Sequence, residues 1–122
     1  MCTAAALANL EVMEEEKLVE ASARKGAIAL ELLRGLQNRY PDHFLSVHGP
    51  GLFISMQMRD PDSGEPAVEL ADAVALECVR RGVLMFTTGR GMLKFTPPLM
   101  IDPQAMIEAA ETIGESFAAC LK

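Results

Sequence analysis

GVLMFTTGRGMLKFTPP, residues 82–98, is the stretch that decides the fold. Two runs rich in apolar and β-branched residues, 83–88 and 92–96, stand on either side of Gly89-Arg90-Gly91. A short glycine-containing connection between two such runs is typical of a β-hairpin. Pro97-Pro98 ends the second strand, because proline has no N–H to donate to a sheet. The sequence therefore predicts a hairpin at this place.

The returning strand carries one charge, Lys94. Side chains alternate between the two faces of a strand. The predicted faces are Leu93 with Phe95, and Met92 with Lys94 and Thr96. Taken alone, these residues indicate a lysine whose head reaches solvent from one face of a sheet.

Upstream of this hairpin, residues 3 to about 38 are predicted to be helical. The alanine-rich start has a high helix propensity, and apolar residues recur at helical spacing, namely Leu7, Leu10 and Met13, then Ile28, Leu32 and Leu36. The acidic EEEKLVE interrupts the apolar stripe, which indicates a bend or two abutting helices near 16–19. Gly26 weakens the second half by about 1 kcal/mol relative to alanine, which indicates close packing against a neighbour. Pro41 ends the segment.

The middle of the chain predicts two strands and a helix. LSVHGPGLFISMQM, residues 45–58, is strand-like on both sides of Gly49-Pro50-Gly51. Alternation places Leu52, Ile54, Met56 and Met58 toward a core. A turn-rich loop covers 60–66, and Pro66 is predicted in the first turn of the next helix. Its apolar stripe is Val68, Ala71, Val74, Ala75, Cys78 and Val79, and Gly82 ends it.

The last segment predicts a helix that begins at Asp102 as cap, with Pro103 in its first position. Its apolar face comprises Met106, Ile107, Ala110, Ile113, Ser116, Phe117 and Leu121. The order of elements indicates an α+β fold with a long N-terminal helix. We expect a small, mainly antiparallel sheet of three or four strands, covered on one face by helices.

Composition limits the classes of function. The 122 residues fit a single domain, 1–122. A net charge of −6 makes nucleic acid a poor partner. Neither a run of about 18 apolar residues nor a basic signal-peptide start is present, so no membrane association is expected. The three cysteines, Cys2, Cys78 and Cys120, lack metal-binding spacing, which favours free thiols in a reducing cytoplasm.

Four segments in this order resemble the C-terminal small domain of the class III, or ω-amino-acid type, pyridoxal-phosphate aminotransferases of fold type I. They are CTAAALANLEVMEEEKLVE, GPGLFISMQM, ECVRRGVLMFTTGRGMLKFTPPLMI and DPQAMIEAAETIGESF. No one of these segments is specific, but together they extend over essentially the whole chain. The resemblance implies amino-group transfer from an amino compound to an oxo-acid in the full enzyme.

The resemblance also implies what this chain lacks. In that family the large domain holds pyridoxal 5'-phosphate, the lysine that binds it and its phosphate loop. None has a counterpart here, so we expect no catalytic residue, no cofactor-binding residue and no metal site in this chain. We expect it to be inactive alone. Its expected partners are the missing large domain or, through exposed apolar surface, a second copy.

Two residues are candidate substrate ligands by the resemblance. Lys94 occupies the position where the family often carries an arginine that pairs with a substrate carboxylate. A lysine is a point charge without the bidentate fork of arginine, so such binding is less directional. Arg90, in the predicted hairpin turn, would line the mouth of the active site in the full enzyme.

His48 departs from the arginine that the family commonly carries before the Gly-x-Gly turn. We interpret it as a neutral histidine bound to a backbone carbonyl. Gly49 and Gly51 are interpreted as serving backbone geometry, because neither precedes a helix that would hold a phosphate.

Two alternatives to an aminotransferase domain remain. In the first alternative, the chain is an autonomous α+β module that binds a small acidic ligand or a partner protein through its sheet. In the second alternative, the chain is an orphan domain with no activity of its own.

Overall fold

Four helices and four strands make up the residues that the computed structural model describes, 2–121. The helices are α1 (Cys2–Glu15), α2 (Leu18–Arg39), α3 (Val68–Arg80) and α4 (Pro103–Cys120). The strands are β1 (Phe44–His48), β2 (Ile54–Met58), β3 (Phe86–Thr87) and β4 (Met92–Phe95), and a short 3-10 helix, Pro41–His43, joins α2 to β1. The predicted α+β class is confirmed.

The four strands form one antiparallel sheet in the order β1-β2-β4-β3. Val47 pairs with Met56, and Met56 pairs with Leu93, so these three residues share one face. All three are buried. Leu52, Ile54 and Met58 are buried as well, so the predicted core face of the second strand is confirmed.

The helices cover that buried face. Helix α2 packs against β1, α3 packs against β2, β3 and β4, and α4 packs against both of these helices. Phe117 of α4 is fully buried, with its ring centroid 4.9 Å from that of Phe44 in β1 and 5.1 Å from that of Tyr40. The aromatic contacts tie the last helix to the first strand and close the core.

The predicted interruption of the first helix is real. Lys17, with φ of 50°, adopts a left-handed backbone conformation and separates α1 from α2. No residue of α1 is buried. In α2 the buried face comprises Leu18, Gly26, Ala29, Leu33 and Leu36. Of the predicted repeat Ile28, Leu32 and Leu36, only Leu36 is buried, and the other two residues are exposed.

Helix α2 meets the β1–β2 turn backbone against backbone. A Cβ added at Gly26 would overlap the carbonyl group of Gly51, and Gly51 itself has φ of +52°. The N–H of Leu52 donates to the hydroxyl of Ser22, one helical turn before Gly26, at 3.2 Å. Gly26 is therefore required by this contact, as its place in the helix predicted. Gly49 and Gly51 both have positive φ, +153° and +52°, in this turn. These values agree with the backbone role that the sequence predicted for the two glycines.

Two predicted boundaries are wrong. The strand predicted at 83–88 is paired only over Phe86–Thr87, because the N–H of Val83 donates to the carbonyl of Cys78 and holds the chain at the end of α3. Helix α3 begins at Val68, after the predicted Pro66, because Pro66 is bridged to Arg59 beside the sheet. Val79 of the predicted apolar stripe is exposed, whereas Ala71, Val74 and Cys78 are buried.

The start of α4 is confirmed. The Oδ1 atom of Asp102 accepts hydrogen bonds from the N–H groups of Gln104 and Ala105, and Pro103 occupies the first turn. The predicted buried face is also correct for Met106, Ala110, Ile113, Ser116 and Phe117. Between residues 2 and 121, no helix combines the length and the apolar character that crossing a membrane needs.

We predict that Gly26→Ala destabilises the protein and that Gly35→Ala, on the same helix, does not. The new methyl group at position 26 overlaps the Gly51 backbone, and such overpacking costs about 1–3 kcal/mol. Nothing lies near the Cβ of a residue at position 35, so alanine there gains up to about 1 kcal/mol of helix propensity. Urea unfolding of both variants measures the two effects. Equal stability of the variants would contradict the proposed contact.

Candidate functional site

The candidate site is the face of the sheet that turns away from the helices. We call the residues paired across it the outer row: His48, Ser55, Lys94 and Phe86, one from each strand in spatial order. Their neighbours along the strands lie in the core, so alternation directs the outer row to the opposite face. Adjacent strands lie about 4.8 Å apart, so the row extends over roughly 15 Å.

We call this face the open face, because its aromatic residues are exposed, although Ser55 within it is buried. Phe86 is 60% exposed, and Phe53, two residues before Ser55 on the same face, is 54% exposed. In the described part of the chain, the helices that pack on the sheet do so on the buried face. Exposed aromatic rings next to a charge are typical of a surface that meets a ligand or a partner.

Lys94 lies at the centre of the open face, as its strand alternation predicted. It is half-buried, between Ser55 of β2 and Phe86 of β3, and Leu93 and Phe95 on either side of it are buried. Its Nζ atom lies 5.4 Å from the centroid of the Phe53 ring, a cation–π contact. Among the residues described, no carboxylate pairs with its ammonium group. Lys94 is thus a charge without a counter-ion.

Arg90 lies in the β3–β4 turn, outside the outer row. Gly89 and Gly91 flank it with φ of +67° each, a conformation that glycine adopts freely. The side-chain amide of Gln57 donates to the carbonyl of Arg90 at 2.6 Å and ties the turn to β2. The guanidinium is exposed and forms no ion pair within 2–121. Arg90 thus lies in the turn and Lys94 within β4, and the described contacts do not join the two side chains.

The interpretation of His48 is wrong. Its side chain is exposed, and it donates to no backbone carbonyl in the region that the structure covers. It pairs with Ser55, which in turn pairs with Lys94. His48 therefore stands two strands from Lys94, at a Cα separation of roughly 10 Å. The outer row thus brings together His48 and Lys94, the two residues that the resemblance marks as departures from its usual arginines.

Phe53 and Gln57 are site residues that the sequence did not identify. Alternation placed both on the face opposite the core. It did not show that Phe53 meets Lys94 or that Gln57 holds the Arg90 turn, because both contacts depend on the register between β2 and β4. A signal was present in the sequence, since an aromatic residue at position 53 stands where solvent-facing strand residues are ordinarily polar.

The titratable groups with shifted pKa values outside this face do not form a second candidate site. Burial raises the pKa of the Cys78 thiol and that of Cys120, which keeps both protonated and weakly nucleophilic. Hydrogen bonds from Ser63 lower the pKa of the exposed Asp60, which stabilises the 60–64 turn. No group of three or more metal-ligating side chains occurs in residues 2–121. The open face therefore remains the candidate site among the residues that the structure describes.

Comparison with known proteins gives a family. The model of the class-III aminotransferases matches residues 1–117. The isoleucine 2-epimerase of Lentilactobacillus buchneri is 34% identical over 98% of this chain and 26% of its own length. The taurine–pyruvate aminotransferase of Bilophila wadsworthia is 36% identical over 94% of this chain and 25% of its own length.

A solved structure shares the fold. An aminotransferase of Bacillus anthracis superimposes with a TM-score of 0.83 and 27% identity, over 93% of this chain and 27% of that protein. The chain thus spans about a quarter of the length of the relatives that it matches.

We predict that Lys94 and Phe53 are energetically coupled. A cation over an exposed ring contributes roughly 0.5–1 kcal/mol, so Lys94→Met and Phe53→Leu together should cost less than the sum of the single costs. The measurement is a double-mutant cycle by urea unfolding. Arg39→Met combined with Phe53→Leu is the control, because Arg39 is the last residue of α2 and is not the cation that lies over the Phe53 ring. Strict additivity for the Lys94 pair would show that the contact contributes nothing.

Proposed function

This chain belongs to the class-III aminotransferase family, and from that membership we propose that it is the C-terminal small domain of such an enzyme, acting as a single domain over 1–122. The proposal is supported by the share of its relatives that it spans, about a quarter. The remaining three quarters would form the large domain. The full enzyme would transfer an amino group from an amino compound to an oxo-acid in the cytoplasm.

One observation supports a role for this domain: Lys94 on the open face has no counter-ion among residues 2–121. Lys94 is the only Asp, Glu, Lys or Arg in the four strands. The ammonium lies 5.4 Å from the centroid of the exposed Phe53 ring. When the large domain covers this face and excludes water, the attraction between Lys94 and an anionic substrate group becomes stronger, because the local dielectric constant falls. Lys94 would then bind a substrate anion, and Arg90 would line the entrance.

The residues described here do not fit the binding of pyridoxal phosphate. The ammonium of Lys25 donates to the carbonyls of Leu99 and Ile101 at 3.0 and 2.7 Å, so it is committed to the chain that leads into α4. The glycine turn at 49–51 is pressed against α2 and has no free helix N-terminus behind it. We therefore assign the cofactor, which supplies the electron sink for amino transfer, to the large domain.

The large domain has two apolar surfaces to cover. One is the open face of the sheet. The other is α1, in which Leu7 and Leu10 are 57% and 58% exposed. A helix of 14 residues without tertiary packing is marginal in water. Contact with the large domain would stabilise α1, and in its absence these surfaces would promote self-association.

The type of reaction would be decided outside this chain. The two relatives named above are an epimerase and an aminotransferase, and both share this quarter with the protein. A segment common to both reactions cannot distinguish between them. Its contribution would be to bind and orient the part of the substrate that does not react.

We predict that the isolated chain does not bind pyridoxal phosphate covalently and transfers no amino group. The ammonium of Lys25 is bound to two backbone carbonyls, and the glycine turn at 49–51 offers no helix N-terminus for the phosphate. The test adds the cofactor to the purified chain, treats the mixture with borohydride and weighs the intact protein. A specific mass increase that one Lys→Arg variant abolishes would overturn the assignment.

We predict that this chain restores activity when it replaces the matching quarter of the taurine–pyruvate aminotransferase. In that chimera, Lys94→Ala should raise the KM for the anionic substrate about tenfold, in line with the loss of one charge-assisted hydrogen bond, and Lys94→Arg should keep it low. Phe86→Leu is the matched control on the same row, because it removes no charge. An unchanged KM in Lys94→Ala would refute the ligand role of Lys94 but leave the domain assignment intact. A folded but inactive chimera, with an isolated chain that binds a carboxylate through Lys94, would favour an autonomous binding module.

A further inference from the structure

The side-chain amide of Gln57 contacts the β3–β4 turn. Its Nε2 atom donates to the carbonyl of Arg90 at 2.6 Å and lies 3.4 Å from the carbonyls of Met58 and Gly91. Three carbonyl oxygens around one atom identify that atom as the NH₂ group, because only this end of a glutamine amide donates hydrogen bonds. Gln57 and Arg90 are 33 residues apart in the chain, so the contact depends on the tertiary structure.

The turn is fixed on one side and free on the other. The carbonyl of Gly91 accepts a backbone hydrogen bond from β2 at 2.7 Å, and a Cβ at Gly91 would lie 2.8 Å from the backbone nitrogen of Ala67. A Cβ at Gly89 would meet nothing within 4 Å. Arg90 stands between these two glycines. Within residues 2–121, the bond from Gln57 is the one hydrogen bond to the peptide groups of Arg90, so it sets the position of that residue.

Gln57 itself belongs to the open face. It is half-buried, and it pairs with Met92 of β4, two residues before Lys94 on the same strand. Residues two apart on a strand share a face, so Gln57, Met92 and Lys94 lie on the same side of the sheet. From this side the amide of Gln57 reaches the turn. It therefore links the face that carries Lys94 to the turn that carries Arg90.

We propose that Gln57 is the positioning residue of the substrate entrance. Its amide holds the peptide group of Arg90, and this places the guanidinium at the mouth of the open face, where it attracts the anionic group of the substrate toward Lys94. The inference rests on the proposed function, in which these two cations meet the substrate. It adds that substrate binding depends on an uncharged side chain that does not itself touch the substrate.

The first test uses the full chain. Gln57→Met keeps the approximate length and volume of the side chain and removes the donor. The N–H of Thr88 donates to the carbonyl of Met92 and closes the turn. We expect this amide to exchange its hydrogen about tenfold faster in the variant, while the amides of α4 keep their rates. Unchanged exchange at Thr88 would show that the turn does not depend on Gln57 and would overturn the proposal.

The second test uses the chimera with the taurine–pyruvate aminotransferase. Gln57→Met and Arg90→Ala should each raise the KM for the anionic substrate by about fivefold and leave kcat within about twofold, because neither residue touches the reacting atoms. Since Gln57 acts through Arg90, Gln57→Met should add nothing in a chimera that already carries Arg90→Ala. Gln104→Met is the matched control, because the amide of Gln104 bonds to Glu108 within α4, and it should leave the KM unchanged.

The outcomes separate this inference from the proposed function. A folded chimera that is inactive with Gln57 in place would refute both. An active chimera in which Gln57→Met leaves the KM unchanged would refute this inference alone. So would additive effects of Gln57→Met and Arg90→Ala on the KM, because a glutamine that only stabilises the hairpin would act independently of the Arg90 side chain.

Discussion

The close approach of α2 to the β1–β2 turn is the constraint on which the rest of the structure depends. Gly26 has no side chain, so the carbonyl of Gly51 lies directly against the helix, and Ser22 accepts a hydrogen bond from Leu52 at the same place. This contact sets the position of the turn relative to the helix. Once the turn is in place, the alternation of β2 directs Ile54, Met56 and Met58 into the core, and the exposed Phe53 away from it.

The two faces of the sheet have different chemistry as a result. The inner face is closed by α2, α3 and α4, with Phe117 packed against Phe44. The outer face has two exposed phenylalanines, Phe53 and Phe86, and one lysine, Lys94. The ammonium of Lys94 lies over the ring of Phe53. A protein that needed only its own core would ordinarily carry polar residues there. This face is the part of the surface that we propose the large domain covers, in a chain that spans about a quarter of its relatives.

The same division extends to the ends of the sheet and of the helical layer. Helix α1 projects from α2 without a buried residue, and β3 ends the sheet after two paired residues. By contrast, the β1 edge is protected by Arg34, and the start of α4 is capped by Asp102. Protected and unprotected boundaries thus occur in one small fold, and the unprotected ones are rich in apolar residues.

The sequence by itself determined the fold class and the face on which Lys94 lies. It also determined the break near Lys17, the turns at 49–51 and 89–91 and the start of α4. These properties depend on local effects: the period of apolar residues, the missing N–H of proline and the backbone freedom of glycine. Only the tertiary structure decided that His48, Ser55, Lys94 and Phe86 form one row, that Phe53 holds the lysine and that Gly26 touches Gly51. It also decided that 83–85 stays unpaired, because a hydrogen bond from Val83 to the end of α3 outweighs the strand propensity of that segment. Strand register and contacts between elements distant in the chain depend on how the whole core packs, and no local pattern contains that information.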